Sequence, residues 1–333
     1  MIYVGFFHTW IPRFSAILSF IFNPLFFYLV WNKTKSPIGS YKYILVCFAI
    51  FNMSYSAVEL AAGMGSHGYG DAFVVFIAHG PFYYDLHVGL IALSIRCGFI
   101  ALSYGILVIH FIYRYIALCR PEKLYIFTTP KWVVALFVFF ITHGVLWAGS
   151  CYFFLHGDGE MQLYLDEEFK ENYNVSAFEN VSKDLTYRTV FGILVVTAIS
   201  CYAITLYCVL GFLIHRKLHE FSMSDQSKKM HKQLLAALVT QTVIPMTVSY
   251  MPCLIAWYTP WIGINVGKFN NYCLIIFLSF FPFCDPIAII CILPDYRKAA
   301  LIILGLRKQA YRNSTSSGFV KPSVVNPTNT MTF

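Results

Sequence analysis

Apolar residues in this chain neither alternate nor recur on a single stripe. They run on for about 20 residues at a time, seven times over. A helix rises about 1.5 Å per residue, so about 20 residues cross the roughly 30 Å of a bilayer's hydrocarbon core. Runs that are apolar all round point to lipid as the solvent. In lipid, only helices and closed barrels satisfy every backbone polar group. The expected spans are 11–31, 43–63, 86–113, 132–154, 189–214, 233–258 and 269–292. The expected fold class is therefore an all-α integral membrane protein, a bundle of seven transmembrane helices forming one domain over 1–312.

Two further runs need placing. The apolar stretch at 74–79 is cut by Gly80 and Pro81 and is too short to cross, so it is expected in a loop. The first run is not read as a cleaved signal peptide. It lacks a basic leader and a small-residue cleavage site, and Asn23-Pro24 sits inside it.

Composition fits a lipid solvent: 58% of residues are hydrophobic and 12% charged, against about 25% charged in a soluble domain. Charge then sets the orientation, because cytoplasmic loops carry the excess of Lys and Arg. Most of the 24 basic residues fall on one side of the expected membrane. They include Lys33, Lys35 and Lys42 after the first span, and Arg114, Arg120, Lys123 and Lys131 after the third. Lys228, Lys229 and Lys232 precede the sixth, and Arg297, Lys298, Arg307 and Lys308 follow the seventh. The amino terminus is expected outside and the carboxyl terminus in the cytosol. The net +8 is an orientation signal, and no basic soluble face for nucleic acid forms. Asn174 and Asn180 open glycosylation triplets in the acidic loop 155–188, on the expected outer side, whereas those at Asn32, Asn52 and Asn313 do not.

After the last span, 297–312 is expected as an amphipathic helix on the inner leaflet, with Ala299, Ile302, Ile303, Leu306 and Ala310 on one stripe. The stretch 313–333, rich in Ser, Thr, Asn and Pro, is expected as a disordered cytosolic tail.

Catalytic and metal chemistry find no footing in the pattern. The ten cysteines show no paired metal spacing, and Cys151, near the outer end of the fourth span, has no second cysteine in the outer loop. The Gly-rich stretch 63–70 lacks the Lys-Ser/Thr of a phosphate loop. No nucleophile, base and oxyanion set appears, so neither enzyme activity nor a cofactor is expected.

Four places carry signal. Arg114, between Tyr113 and Tyr115, closes the third span before Arg120-Pro121. It is either a snorkelling anchor or a switch that bonds neighbouring helices at rest and a partner when they part. The sixth span holds Gln241, Thr242, Pro245 and Pro252; each proline removes a backbone bond and bends the helix. In the seventh, Asp285-Pro286 puts an acid inside the membrane, either as a structural polar cluster or as part of a switch. Nearer the outside, Glu59 and Arg96 either pair with each other or line a ligand cavity with Tyr104, His143, Trp147 and Tyr250.

Three segments together resemble the nematode serpentine chemoreceptors of class r, the str and srj group. These are Tyr113-Arg114-Tyr115 with Leu118-Cys119-Arg120-Pro121, then Gln241 with Ile244-Pro245 and Pro252. The third is Phe281-Pro282 with Asp285-Pro286 and Leu293-Pro294-Asp295-Tyr296-Arg297. The resemblance implies a G-protein-coupled receptor that senses an odorant or soluble cue, couples to a heterotrimeric G protein, and sits in the plasma membrane of a sensory-neuron cilium. It also implies that Arg114 and Asp285-Pro286 match the third- and seventh-helix switches of the wider rhodopsin-like group. The alternative, a seven-span ion channel or transporter, would want a charged ring or paired broken helices. A retinal-binding light receptor would need a lysine in 269–292, and there is none.

Overall fold

The computed structural model of the chain describes residues 2–33, 41–69, 72–155, 159–174, 187–220, 224–259, 262 and 267–306. Among these, seven spans are long and apolar enough to cross a membrane. They are α1 (Phe6–Lys33), α2 (Tyr41–Ala61), α3 (Leu86–Cys119), α4 (Pro130–Phe154), α6 (Tyr187–Glu220), the pair α7 (Asp225–Pro245) and α8 (Met251–Tyr258), and α9 (Gly267–Ile292). Two more helices lie off the spans, α5 (Gly159–Tyr173) and α10 (Pro294–Ile303).

Several helices outrun their apolar runs at the end that carries α10. α3 continues to Cys119 and α6 to Glu220, where Arg216 pairs with Glu220 at 2.8 Å. α7 starts at Asp225, with the Ser224 hydroxyl accepting from the Ser227 N–H at 3.4 Å. Polar ends of this kind read as loops when hydropathy alone sets the boundary. Charge pairs and caps carry the helix on into water.

α3 is the most enclosed span and packs against α4 and α6. Its contact with α4 depends on Gly98 and Gly144. A side-chain carbon on Gly98 would lie 2.9 Å from the Gly144 carbonyl, and one on Gly144 would lie 2.7 Å from Leu102. Small residues let helices approach closely in lipid, where there is no hydrophobic drive between them. α4 presents Val134, Phe137, Val138 and Val145 on its exposed face, as a lipid-facing helix should.

The segment 63–79 replaces the loop expected at 74–79. It is an antiparallel hairpin, β1 (Gly63–Tyr69) and β2 (Ala72–His79), pairing Gly65 with Phe76 and His67 with Val74. The strand glycines let the backbone sit against large rings: a side-chain carbon on Gly65 would lie 2.7 Å from the Phe76 ring. The Ile2 N–H donates to the Ala78 carbonyl at 2.8 Å, so the chain's start lies against this hairpin. α5 covers the other face through Phe169, which meets the Phe76 and His67 rings at 5.3 Å each. The Tyr173 hydroxyl meets His67 Nδ1 at 2.9 Å, with Glu168 3.7 Å from Nε2. Burial lowers the His67 pKa to about 4, so the ring is neutral at pH 7. The hairpin, α5 and the chain's start together cap one end of the bundle.

At the opposite end, α10 begins at Pro294, earlier than expected, because a proline's fixed φ suits a first helical turn. Its inward face is Tyr296 and Ala300, with Tyr296 edge-on to Phe26 of α1; Ile303 and Leu306 face outward. Residues 307–312 and the tail 313–333 lie outside the described residues.

Candidate functional site

Polar groups in a lipid-bound bundle need internal partners, so they mark the interior that matters. Four groups stack from the hairpin end to the α10 end.

Directly beneath the hairpin is a cavity of about 60 Å³. Met64, Phe73 and Val75 of the hairpin roof it. Its walls include Leu93, Ser94 and Cys97 of α3, Cys151 of α4, Cys253 and Trp257 of α8, and Leu274 and Leu278 of α9.

Arg96 does not line this cavity. Its Nη2 donates to Glu59 Oε1 at 3.0 Å and its Nη1 donates to the Ala62 carbonyl at 2.7 Å. That carbonyl lies just past the end of α2, where helical partners run out. The buried ion pair thus ties the end of α2 to α3. Of the two arrangements open to these residues, pairing is the one adopted.

Below the cavity sits a stack of rings. Trp257, in the cavity wall, meets Trp147 at 5.7 Å; Trp147 meets Tyr104 at 5.9 Å; Tyr104 stacks on Tyr250 at 3.9 Å. The Tyr250 hydroxyl shares a 2.8 Å hydrogen bond with Ser103, and the Tyr207 hydroxyl donates to the Tyr104 carbonyl at 2.9 Å. Tyr104, Trp147 and Tyr250 are therefore brought together, as a packed cluster under the cavity. His143 stands apart on α4, its Nδ1 2.8 Å from the Phe139 carbonyl.

Tyr250 closes a helical irregularity. Residues Met246–Tyr250 form a π turn, and the Met251 N–H bonds five residues back, to Met246. Two prolines explain it. Pro245 and Pro252 lack the N–H groups that would bond the carbonyls of Gln241 and Val248, and the Pro252 ring crowds the turn before it. The helix opens by one residue there, the commonest form of π structure.

The middle of the bundle follows the same logic. In α9, Pro286 cannot donate to the carbonyl of Pro282, four residues back. Asn23 of α1 supplies the missing donor, its Nδ2 2.9 Å from that oxygen. The Asn23 amide also reaches the Ser19 carbonyl at 3.0 Å. Asn52 of α2 donates at 3.3 Å both to Asn23 Oδ1 and to Asp285 Oδ2. Gln241 of α7 is buried near this carboxyl, but neither of its amide atoms makes a hydrogen bond among the described residues. Three helices are thus bonded into one buried polar knot with Gln241 of α7 beside it, and Asn23, Asn52, Asp285 and Gln241 are all fully enclosed.

At the α10 end, Arg114 is buried, with its guanidinium 4.6 Å from the Tyr41 ring centroid. Tyr41 stacks on Tyr113 at 5.3 Å, and Tyr113 meets Phe127 edge-on at 4.9 Å. Tyr115 packs partly buried against the core. Arg114 Nη2 has no hydrogen-bond partner among the described residues. The arginine is held by a π face rather than by the backbone or polar groups expected from sequence.

Asn23 and Asn52 were visible only as parts of other patterns, a proline dipeptide and a glycosylation triplet. Their signal was polarity itself: an amide inside an apolar run must bond something internal. The cavity walls gave no signal, since Leu, Cys and Trp there look like any lipid-facing side chain.

A capped bundle of seven membrane-length helices with an internal cavity and a buried polar knot defines a multi-pass helical membrane protein. The family model of the serpentine type 7TM GPCR chemoreceptor Srj matches residues 2–300. A Caenorhabditis elegans protein named serpentine receptor class J-38 is 31% identical over 307 residues, 87% of this chain and 91% of its own. Serpentine receptor class r-10 of the same nematode is 26% identical over 323 residues, covering 91% and 92%. The C. elegans G-protein coupled receptor str-33 is 26% identical over 308 residues, covering 87% and 88%. The chain belongs to the Srj family of nematode serpentine seven-transmembrane chemoreceptors, a receptor family rather than an enzyme family.

The ion pair at the hairpin end yields a double-mutant test. Arg96→Met strands a buried carboxylate and should destabilise the protein by about 3–5 kcal/mol, seen as lost expression. Adding Glu59→Leu should restore expression. Normal expression of the single variant would show that the pair does not hold α2 to α3.

Proposed function

We propose that this receptor binds a small-molecule cue at its hairpin end and activates a heterotrimeric G protein at its α10 end. What supports this reading above all is a packed route between the two ends. The cavity wall contains Trp257; Trp257 leads through Trp147 and Tyr104 to Tyr250. Tyr250 belongs to the π turn that follows Pro245, and Gln241, one turn further on, is buried beside the Asp285 knot. A ligand that moved Trp257 would press on the part of the sixth span least fixed by backbone bonds. Signalling needs two discrete arrangements that the ligand can bias, and a proline-opened turn flanked by polar partners is suited to supply them.

In this reading Pro245, Asp285 and Pro286 form the switch, and Arg114 with Tyr113 and Tyr115 forms the coupling end. Arg114 rests on Tyr41 and exchanges that π contact for a partner's groups when α7 moves away. Of the six residues considered for the ligand, Tyr104, Trp147 and Tyr250 transmit from beneath it. Glu59 and Arg96 fix the frame, and His143 lies to the side.

The hairpin end faces outward in this reading and the α10 end faces the cytosol. The distribution of Lys and Arg supports this, as does α5 in the hairpin cap, where Asn174 is exposed in the left-handed region at φ 55°. Asn180 lies outside the described residues. We assign the protein to the plasma membrane, and to the sensory cilium on the strength of the family's chemoreceptor character.

Two outcomes follow. Glycan mapping should find sugar at Asn174 or Asn180; sugar at Asn32 or Asn313 would invert the topology. Arg114→Ala should cut G-protein activation at least tenfold while ligand affinity and surface level stay near the parent's. Activation equal to the parent's would make Arg114 a membrane anchor only.

A further inference from the structure

A second cavity, of about 540 Å³, lies at the α10 end of the bundle. Sites for small molecules run from about 300 to 1,000 Å³. Three segments meet there: the last residue of α1, the first turns of α7, and the junction of α9 with α10. α9 packs against both α1 and α7, so its junction stands between them. The floor is apolar, made by Met230 and Leu234 of α7 with Leu293 and Tyr296. The rim is polar, made by Lys33, Lys229, Ser224, Ser227, Gln226 and Gln233.

Two lysines set its charge. Other basic groups at this end have partners. Arg216 and Lys217 face Glu220 at 2.8 and 3.7 Å. Lys42 lies over the rings of Trp31 and Tyr43 at 5.2 and 5.1 Å, and Arg114 lies over Tyr41. Lys33 and Lys229 make no hydrogen bond, ion pair or ring contact among the described residues. Asp295 also lines the cavity, in the first turn of α10, where it offsets the positive end of that helix. Two ammonium groups from separate helices thus border one cavity. The neutral rim groups are hydroxyls and amides. Ser224 accepts the Ser227 N–H at 3.4 Å as the cap of α7, and its own O–H is left to donate.

This set matches a polyol that carries more than one phosphate. Compact ammonium groups bind phosphate as point charges, whereas a carboxylate is better met by the planar fork of arginine. Hydroxyls and amides pair with the hydroxyls of a polyol, and an apolar floor takes its C–H face. The level of the cavity points to the membrane. Lys33 follows Trp31 by two residues, and exposed Trp31 and Tyr43 with Lys42 over their rings mark the headgroup layer. Ile303 and Leu304, at the end of α10, face outward as on lipid. Basic pockets between membrane helices hold phosphorylated headgroups. We propose that this cavity binds a polyphosphorylated polyol, as the headgroup of an anionic lipid or free in solution, held between Lys33 of α1 and Lys229 of α7.

The test uses the purified full-length receptor in phosphatidylcholine nanodiscs. Binding is read by thermal shift, since a ligand of the folded state raises the unfolding midpoint. One arm places phosphatidylinositol bisphosphate in the bilayer, a second adds soluble inositol trisphosphate, and a third uses phosphatidylserine at equal total charge. Nanodiscs carry lipid on both faces, so the outcome does not depend on the orientation proposed above. The bisphosphate lipid should stabilise the receptor saturably, and phosphatidylserine should not. Lys33→Gln and Lys229→Gln should each weaken the bisphosphate by about fivefold. Lys42→Gln, at the same level but outside the cavity, should leave it unchanged. Soluble compound binding as tightly as the lipid would identify a free phosphate ester as the source; a clear preference for the lipid would identify the headgroup. Equal stabilisation by phosphatidylserine, equal loss in all three lysine variants, or no stabilisation in either inositol arm would overturn the proposal. The first two would leave only a diffuse surface charge.

Discussion

Pro286 takes a hydrogen-bond donor out of the middle of α9, in a solvent that has none to lend. In water the freed carbonyl of Pro282 would be hydrated at little cost. In lipid an unsatisfied backbone group costs several kcal/mol. The chain answers with Asn23, which puts an amide 2.9 Å from that oxygen. The remaining contacts follow from it. The Asn23 carbonyl is held by Asn52, whose amide also meets Asp285, the neighbour of the proline that began the sequence. α1, α2 and α9 are locked to one another by a defect in one of them, with Gln241 of α7 buried alongside. A knot of this kind stabilises one arrangement, but it depends on a few donors. Moving any helix redistributes them.

The sixth span carries the complementary defect. Pro245 and Pro252 open a π turn, and Tyr250 leaves that turn to stack on Tyr104. One defect is pinned by polar groups, and the other is held by ring packing. In the proposed switch that difference separates two parts: the α9 knot holds the resting arrangement, and the turn at 246–250 is where a change in packing above it acts. The hairpin cap bears on the same place, since Met64 and Phe73 share a cavity wall with Trp257. Arg114 at the far end is poised in the same way. Its charge is met by the face of Tyr41, a contact that breaks at lower cost than a buried ion pair.

Much of this architecture was legible in the sequence because lipid imposes a single strong rule. Runs such as 86–113 had to be helices, and the prolines at 245, 252 and 286 had to perturb them. Arg96 and Glu59 had to find partners, and they found each other. The hairpin at 63–79 was not legible. Its glycines are also the residues of loops, and only the rings of Phe76 and His79 opposite them give the close approach a purpose. Helix ends were misplaced wherever caps and charge pairs, rather than apolarity, carry the backbone on, as at Glu220. The cavity was hidden for a further reason. Trp257, Leu93 and Cys253 are the same residue types that face lipid, and direction cannot be read from type when both solvents are apolar.

In the proposed switch the Asn23 amide, through the carbonyl that Pro286 frees, holds the resting arrangement. The most direct measurement is nucleotide exchange on a panel of heterotrimeric G proteins by Asn23→Ala without added ligand, with surface level followed in parallel. A rise in basal exchange of at least severalfold over the parent, at comparable surface level, is the predicted result. Basal exchange equal to the parent's in a well-expressed variant would contradict the claim.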